Sequence, residues 1–100
     1  MNTYKLIINP FAELDLQISH DWYNLQKDGL GKEFTLEVDE VISRIAQNPR
    51  QFVRVKLLAR MAVVQRFPFG VYYLIHGDII NVFAVFNFSR NPAIWKNRLK

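Results

Sequence analysis

The side chains best suited to chemistry in this chain are basic residues of its second half. They lie in a region rich in β-branched and aromatic residues, and they are Arg54, Lys56, Arg60, Arg66 and Arg90. Guanidinium groups bind phosphates and carboxylates through paired N–H donors. Residues 50–100 carry nine basic side chains and one acid, whereas residues 1–49 carry four basic side chains and eight acids. This asymmetry predicts an anionic partner for the second half: nucleic acid, an acidic protein segment or a membrane surface.

The other reactive residue types form no known catalytic motif. His20 lies among polar residues and is expected to be exposed to solvent, whereas His76 lies beside a tight turn and is a candidate acid–base group. The chain has no cysteine, which excludes disulfides, thiolate zinc sites and cysteine nucleophiles. It also has no glycine-rich phosphate loop and no nucleophile elbow. We therefore expect neither a cofactor nor a metal.

The length and the hydropathy pattern limit the class of protein that this chain can be. One hundred residues, half of them hydrophobic, predict a single domain over residues 1–100 with a real core. The longest apolar stretches are too short to span a membrane, and the first residues lack the apolar region of a signal peptide. We expect a cytoplasmic protein without a membrane partner.

The first half is predicted to form a strand and two helices. Residues 4–9 are typical of a strand, and Asn9 and Pro10 are a helix-start signal. Five apolar residues then follow at spacings of three and four, which indicates one apolar stripe on this helix; they are Phe11, Leu14, Ile18, Trp22 and Leu25. A second apolar pattern from Phe34 to Ile45, after a short glycine-containing connection, predicts the second helix of an antiparallel hairpin.

The second half is predicted to form strands. Residues 52–58 alternate, which places Arg54 and Lys56 on one face, and residues 61–67 form a further strand that contains Arg66. Residues 70–76 and 79–87 flank the turn residues Gly77 and Asp78, a signal for a tight hairpin. These two strands are apolar at almost every position, so both of their faces should be covered. Residues 92–99 could form a short closing helix.

The predicted fold is α+β: an N-terminal strand, an antiparallel helical hairpin on one face of a three- to five-stranded antiparallel sheet, and a short C-terminal helix. Pairing of the strands 52–58 and 61–67 should bring their basic side chains together. Trp95 would add an aromatic surface near them, which suits a nucleic-acid target.

The ordered set of motifs resembles the ParE/RelE superfamily, the toxins of bacterial type II toxin–antitoxin (plasmid stabilisation) modules. The resemblance covers nearly the whole chain, and its most specific part is the segment RFPFGVYY at residues 66–73. The other matching segments are residues 4–10, 12–16, 22–23, 29–34, 45–49, 85–92 and 95–96.

The resemblance implies a compact toxin that is held inactive by a cognate antitoxin whose extended, often acidic C-terminal segment wraps it. It also implies one of two activities. ParE-like members poison DNA gyrase and are not hydrolases, whereas RelE-like members are metal-independent, ribosome-dependent mRNA endoribonucleases. The residues expected to contact the target or the antitoxin are Arg54, Lys56, Arg60, Arg66, Arg90 and Trp95.

The ParE-like branch is favoured because the chain departs from the nuclease pattern. Val71 precedes the tyrosine pair where RelE-like chains tend to carry an arginine, Asn87 stands where close relatives often have histidine, and no tyrosine follows Tyr73. In the nuclease alternative, Lys56, Arg60, Arg66 and Arg90 would orient the phosphate, with His76 as the proton acceptor. A third alternative is a non-toxic interaction module. An apolar surface is expected to be left for the antitoxin, so the isolated chain is predicted to self-associate, with a homodimer as one form.

Overall fold

The computed structural model describes residues 3–99 and contains five strands and three helices. The α+β class and the order of the elements are as predicted. In chain order the elements are β1 (Lys5–Ile8), α1 (Pro10–Gln26), α2 (Leu30–Gln47), a single 3-10 turn (Pro49–Gln51), β2 (Val53–Lys56), β3 (Ala59–Val63), β4 (Phe69–His76), β5 (Ile79–Asn87) and α3 (Ala93–Asn97).

The five strands form one sheet in the order β1-β5-β4-β3-β2. The pairs from β2 to β5 are antiparallel, but β1 pairs with β5 in parallel. The predicted antiparallel pairing is confirmed for the four strands β2 to β5, and the parallel N-terminal strand makes the sheet mixed. The direction of β1 relative to β5 depends on the path of the helical hairpin that links β1 to the far edge of the sheet, and no local pattern reports that path.

The helical hairpin begins and turns at the residues that the sequence indicates. The Asn9 side-chain oxygen accepts a hydrogen bond from the Ala12 amide at 3.1 Å, and Pro10 is the first helical residue. Gly31 lets α2 approach α1 closely, because a Cβ at this position would lie 2.5 Å from the His20 carbonyl oxygen. His20 was predicted to be exposed to solvent; it lies against Gly31 of α2 and is half-buried.

The main core lies between the helical hairpin and one face of the sheet. Tyr23, Phe34, Phe67 and Phe69 form an aromatic cluster in which neighbouring ring centroids are 4.7–6.1 Å apart. Such edge-to-face and tilted contacts add to the free energy gained by burying the rings. Val71, Tyr73 and the inward residues of β5 complete this core.

A smaller core covers the opposite face of the sheet. Trp95 of α3 stacks on Tyr72 with ring centroids 4.4 Å apart, and Phe83, Ala84 and Phe86 pack around them. Tyr72 pairs with Ala84 and Tyr73 pairs with Val82, so Phe83 is an extra residue in β5, a β-bulge. Both faces of β4 and β5 are thus covered, as predicted.

A buried ion pair joins α1 to the end of the chain. Asp15 is buried on α1 and accepts two hydrogen bonds from the Arg98 guanidinium, at 2.6 and 3.0 Å. Asp15 also accepts the Val85 amide at 3.0 Å, and Arg98 donates to the Phe83 carbonyl at 3.2 Å. Strand β1 pairs with β5 only as far as Val82. Asp15 and Arg98 therefore bind the Val85 amide and the Phe83 carbonyl, which have no neighbouring strand to pair with on this edge.

Tyr73 gives the core a measurable pH dependence. Its hydroxyl donates to the buried Pro49 carbonyl at 2.5 Å, and burial raises its pKa from 10.0 to about 12. Because the folded state holds this proton more tightly than the unfolded chain, the stabilisation is complete below about pH 10 and is lost as the pH rises through about 12. We expect the free energy of unfolding, measured by urea denaturation, to fall over this range.

The variant Tyr73→Phe should lower the free energy of unfolding at neutral pH by about 1–3 kcal/mol, because the Pro49 carbonyl loses its donor. Its free energy of unfolding should also change less steeply between about pH 10 and 12 than that of the parent protein. Equal slopes for the two proteins would show that Tyr73 does not carry this pH dependence.

Candidate functional site

The basic residues of the β2–β3 hairpin do not share one face of the sheet. Arg54 lies directly opposite Arg60, whereas Lys56 lies opposite Ala59, and the register shifts between Arg54 and Lys56. Arg60 and Ala59 are neighbours on β3, so their side chains point to opposite faces. Arg54 therefore lies on the face of the helical hairpin and Lys56 on the face of α3. The prediction that the two share a face is wrong, because a bulge at residue 55 breaks the alternation.

Arg60 is held in place by backbone carbonyls. Its Nη1 donates to the Phe52 oxygen at 2.6 Å and to the Arg50 oxygen at 3.1 Å. Arg50, Arg54 and Arg60 together line a cleft of about 270 Å³ at this end of the sheet. Arg50, which sequence reasoning did not single out, thus joins two of the predicted site residues. The sequence did place Arg50 directly after Asn48 and Pro49, the residues that end α2, and just before the strand that carries Arg54.

Arg66 lies apart from this cleft. Strand β3 ends at Val63, so Arg66 sits in the following turn with a positive φ of 71° instead of in a strand. Its guanidinium pairs with Glu33 at 2.8 Å and Glu37 at 3.4 Å on α2. The hydrogen bond from Arg66 lowers the pKa of Glu33, and the bond to Glu33 raises the pKa of Arg66. Arg66 therefore fastens the turn to α2.

His76 and Arg90 lie near opposite ends of the sheet. Arg90 follows β5, with its guanidinium 4.6 Å from the centroid of the Phe86 ring. His76 is exposed at the end of β4 that lies beside the β4–β5 turn. Strand β4 has eight residues, so its ends are about 23 Å apart. The five residues of the nuclease alternative are consequently spread over several surfaces and do not form one catalytic constellation in this structure.

Trp95 belongs to the core of the protein. Only 5% of its surface is exposed, and its ring is stacked on Tyr72 with the Lys96 ammonium 5.7 Å from its centroid. Its indole is therefore not available to a partner in this structure. The sequence predicted Trp95 as a contact residue, but an aromatic residue near basic groups is also suited to a core that lies beneath them, and this is where the structure places it.

The apolar stripe of α1 faces solvent. Its five residues, Phe11, Leu14, Ile18, Trp22 and Leu25, are between 56% and 83% exposed. The core side of this helix is instead formed by Ala12, Asp15, Leu16 and Tyr23. Helix α1 thus has two apolar faces, and the one with the larger side chains is uncovered. A row of large exposed apolar residues on a small protein is typical of an interaction surface.

A groove runs beside this stripe, between α1 and the end of β5. It has a volume of about 320 Å³ and is mostly apolar, with Arg90 and Asn87 as its polar residues on the sheet side. The other residues that line it are Ile18, Ser19, Trp22, Tyr23, Phe69 and Val85. The stripe and the groove form one continuous surface, because Ile18 and Trp22 belong to both. We call this surface the α1 face.

The fold has a close counterpart among solved structures. The chain matches one chain of a structure described as the chromosomal ParDE TA system from P. aeruginosa, with a TM-score of 0.77 and 17% sequence identity. The match covers 85% of this chain and 96% of that chain. This chain has a ParE-like fold. The resemblance noted in the sequence is confirmed at the level of the fold, while no protein-family model and no curated protein matches the sequence itself.

Among residues 3–99, no helix combines the length and the apolar character needed to cross a membrane. Over the same residues, no group of three or more histidine and carboxylate side chains has a geometry suited to a metal ion.

Proposed function

We propose that this chain is the toxin of a type II toxin–antitoxin module and that it acts on DNA gyrase in the cytoplasm. The observation that carries the proposal is the ParE-like fold, shared over most of both chains with a component of a ParDE system. The scatter of Lys56, Arg60, Arg66, Arg90 and His76 favours this target over mRNA. A metal-independent nuclease needs its phosphate ligands and its proton acceptor around one bond.

The proposal is tested by inducing the chain in cells that lack any antitoxin. We expect growth arrest, and we expect the purified protein to inhibit supercoiling by gyrase while cellular mRNA stays intact in primer extension. Ribosome-dependent cleavage of mRNA with normal supercoiling would instead identify the endoribonuclease alternative. Harmless overexpression would identify the non-toxic interaction module.

The α1 face is the surface proposed for the cognate antitoxin. An extended or helical segment with apolar residues at regular spacing would cover the stripe and enter the groove. An acidic residue of this segment would pair with Arg90, in agreement with the acidic tails that the resemblance implies. Without a partner, the stripe is expected to drive self-association, so the isolated chain should not remain a monomer at high concentration.

The variant Ile18→Asp tests this assignment. The side chain is 58% exposed, so the fold should tolerate the change, whereas a charge in the centre of the stripe should weaken antitoxin binding by about 2 kcal/mol, or roughly 30-fold. Affinity is measured by titration with the product of the neighbouring gene, and neutralisation by growth on co-expression.

The matched control is Leu36→Asp, which changes an apolar residue of similar exposure on α2, outside the stripe. The control should bind the antitoxin like the parent protein. Equal affinities of Ile18→Asp and the parent would place the antitoxin elsewhere on the molecule.

A further inference from the structure

Three arginine residues line one cleft at the edge of the sheet. Arg50 comes from the 3-10 turn, Arg54 from β2 and Arg60 from β3, and the cleft is completed by Leu58 and Ile75. Tyr73, the partner of Arg60 on β4, belongs to the core beneath the helical hairpin. The cleft therefore lies on the helical side of the sheet, on the opposite face from α3.

The charges in this cleft are uncompensated within the described residues. Arg54 stands directly opposite Arg60 across the β2–β3 pair, an arrangement in which like charges repel. The ion pairs found within residues 3–99 involve other cations: His20, Arg66 and Arg98. An anion bound between these arginines would attract both and offset their repulsion, so the charge arrangement favours anion binding.

One of the three groups is already oriented. Arg60 uses Nη1 for the carbonyls of Arg50 and Phe52, which fixes the plane of its guanidinium. Within residues 3–99 its Nη2 and Nε make no hydrogen bond to another residue. Since part of the ordering cost is met in the free protein, these donors can bind a ligand with less loss of entropy.

We propose that this cleft binds a phosphate group. A phosphate offers oxygen acceptors in several directions and so can engage three guanidinium groups, whereas a carboxylate offers two oxygens in one plane. The phosphate is either a free ion or the terminal phosphate of a nucleic-acid strand, and the chemistry of recognition is the same for both. The proposal uses neither the α1 face nor the toxin assignment, so its failure would leave the proposed function untouched.

The test measures binding of two probes to the full chain: inorganic phosphate and a 5′-phosphorylated tetranucleotide. NMR titration that follows the arginine side-chain N–H signals gives the affinity and the site. We expect shifts at Arg54 and Arg60, and we expect Arg54→Gln to weaken binding about tenfold or more, because a charge-assisted contact is lost. Similar affinities for the two probes would identify a free phosphate, and tighter binding of the oligonucleotide would identify a strand.

The matched control is Lys96→Gln, which removes the same charge from α3. It should change the affinity less than twofold. Arg54→Gln should also leave the melting temperature without ligand unchanged or higher, because it removes a repulsion. The proposal is overturned if neither probe binds, if both variants weaken binding equally, or if a hexaglutamate peptide binds this cleft more tightly than the tetranucleotide.

Discussion

Arg98→Ala is expected to lower the free energy of unfolding by about 3 kcal/mol, because it leaves the Asp15 carboxylate buried without its counter-charge. The side chain of Asp15 is 7% exposed and that of Arg98 is 14% exposed, so water cannot readily replace the lost partner. The Phe83 carbonyl also loses a donor. Urea denaturation of the variant and the parent at neutral pH measures the difference.

The control for this prediction is Arg90→Ala. The guanidinium groups of Arg98 and Arg90 both lie against the Phe86 ring, 5.9 and 4.6 Å from its centroid. The control therefore removes a comparable cation–π contact without the ion pair and should cost about 0.5–1 kcal/mol. Replacing both members of the ion pair, as in Asp15→Leu with Arg98→Met, should recover part of the loss. If Arg98→Ala costs no more than the control, the ion pair does not hold the end of the chain.

Trp95→Ala is expected to cost about 3–5 kcal/mol, the range for removing a large aromatic side chain from a core. Trp95 is the main anchor of the five-residue helix α3 on the sheet, and a helix of this length is not stable on its own. We expect a lower denaturation midpoint and loss of the near-ultraviolet signal of the stacked Trp95–Tyr72 pair.

The neighbouring variant Ile94→Ala is the matched control, because Ile94 lies on the same helix and is partly exposed. It should cost less than about 1 kcal/mol. If Trp95→Ala kept the stability of the parent but lost affinity for the antitoxin, Trp95 would be a contact residue and not a core residue. Combined with Arg98→Ala, the two losses should not add, because both residues hold the same segment.

Trp95 and Arg98 together hold the C-terminal segment on the fold. Trp95 of α3 packs on the face of the sheet opposite the helical hairpin, and Arg98, directly after α3, pairs with Asp15 of α1 beside the edge of β5. Ile18 in the stripe of α1 and Arg54 in the arginine cleft, in contrast, are exposed side chains outside the core. Substitutions at Ile18 and Arg54 can therefore test function without the loss of stability that complicates Trp95 and Arg98.

The sequence by itself determined the type and the order of the elements. The Asn9–Pro10 start of α1, the two-residue turn before Ile79 and the apolar runs of β4 and β5 were all predictable, because each depends on residues close together in the chain. The same local signals, in their order, carried the resemblance to the ParE/RelE superfamily, which the shared fold confirms.

Only the tertiary structure decided which surfaces are buried and which side chains meet. Periodicity located the stripe from Phe11 to Leu25 but could not report that the smaller face of α1, with Ala12 and Asp15, packs on the sheet. A single extra residue in β2 separated Arg54 from Lys56, and the Asp15–Arg98 pair joins residues far apart in the chain. The physical reason is that local patterns record chemical character along the chain, whereas burial and contact depend on packing between distant segments.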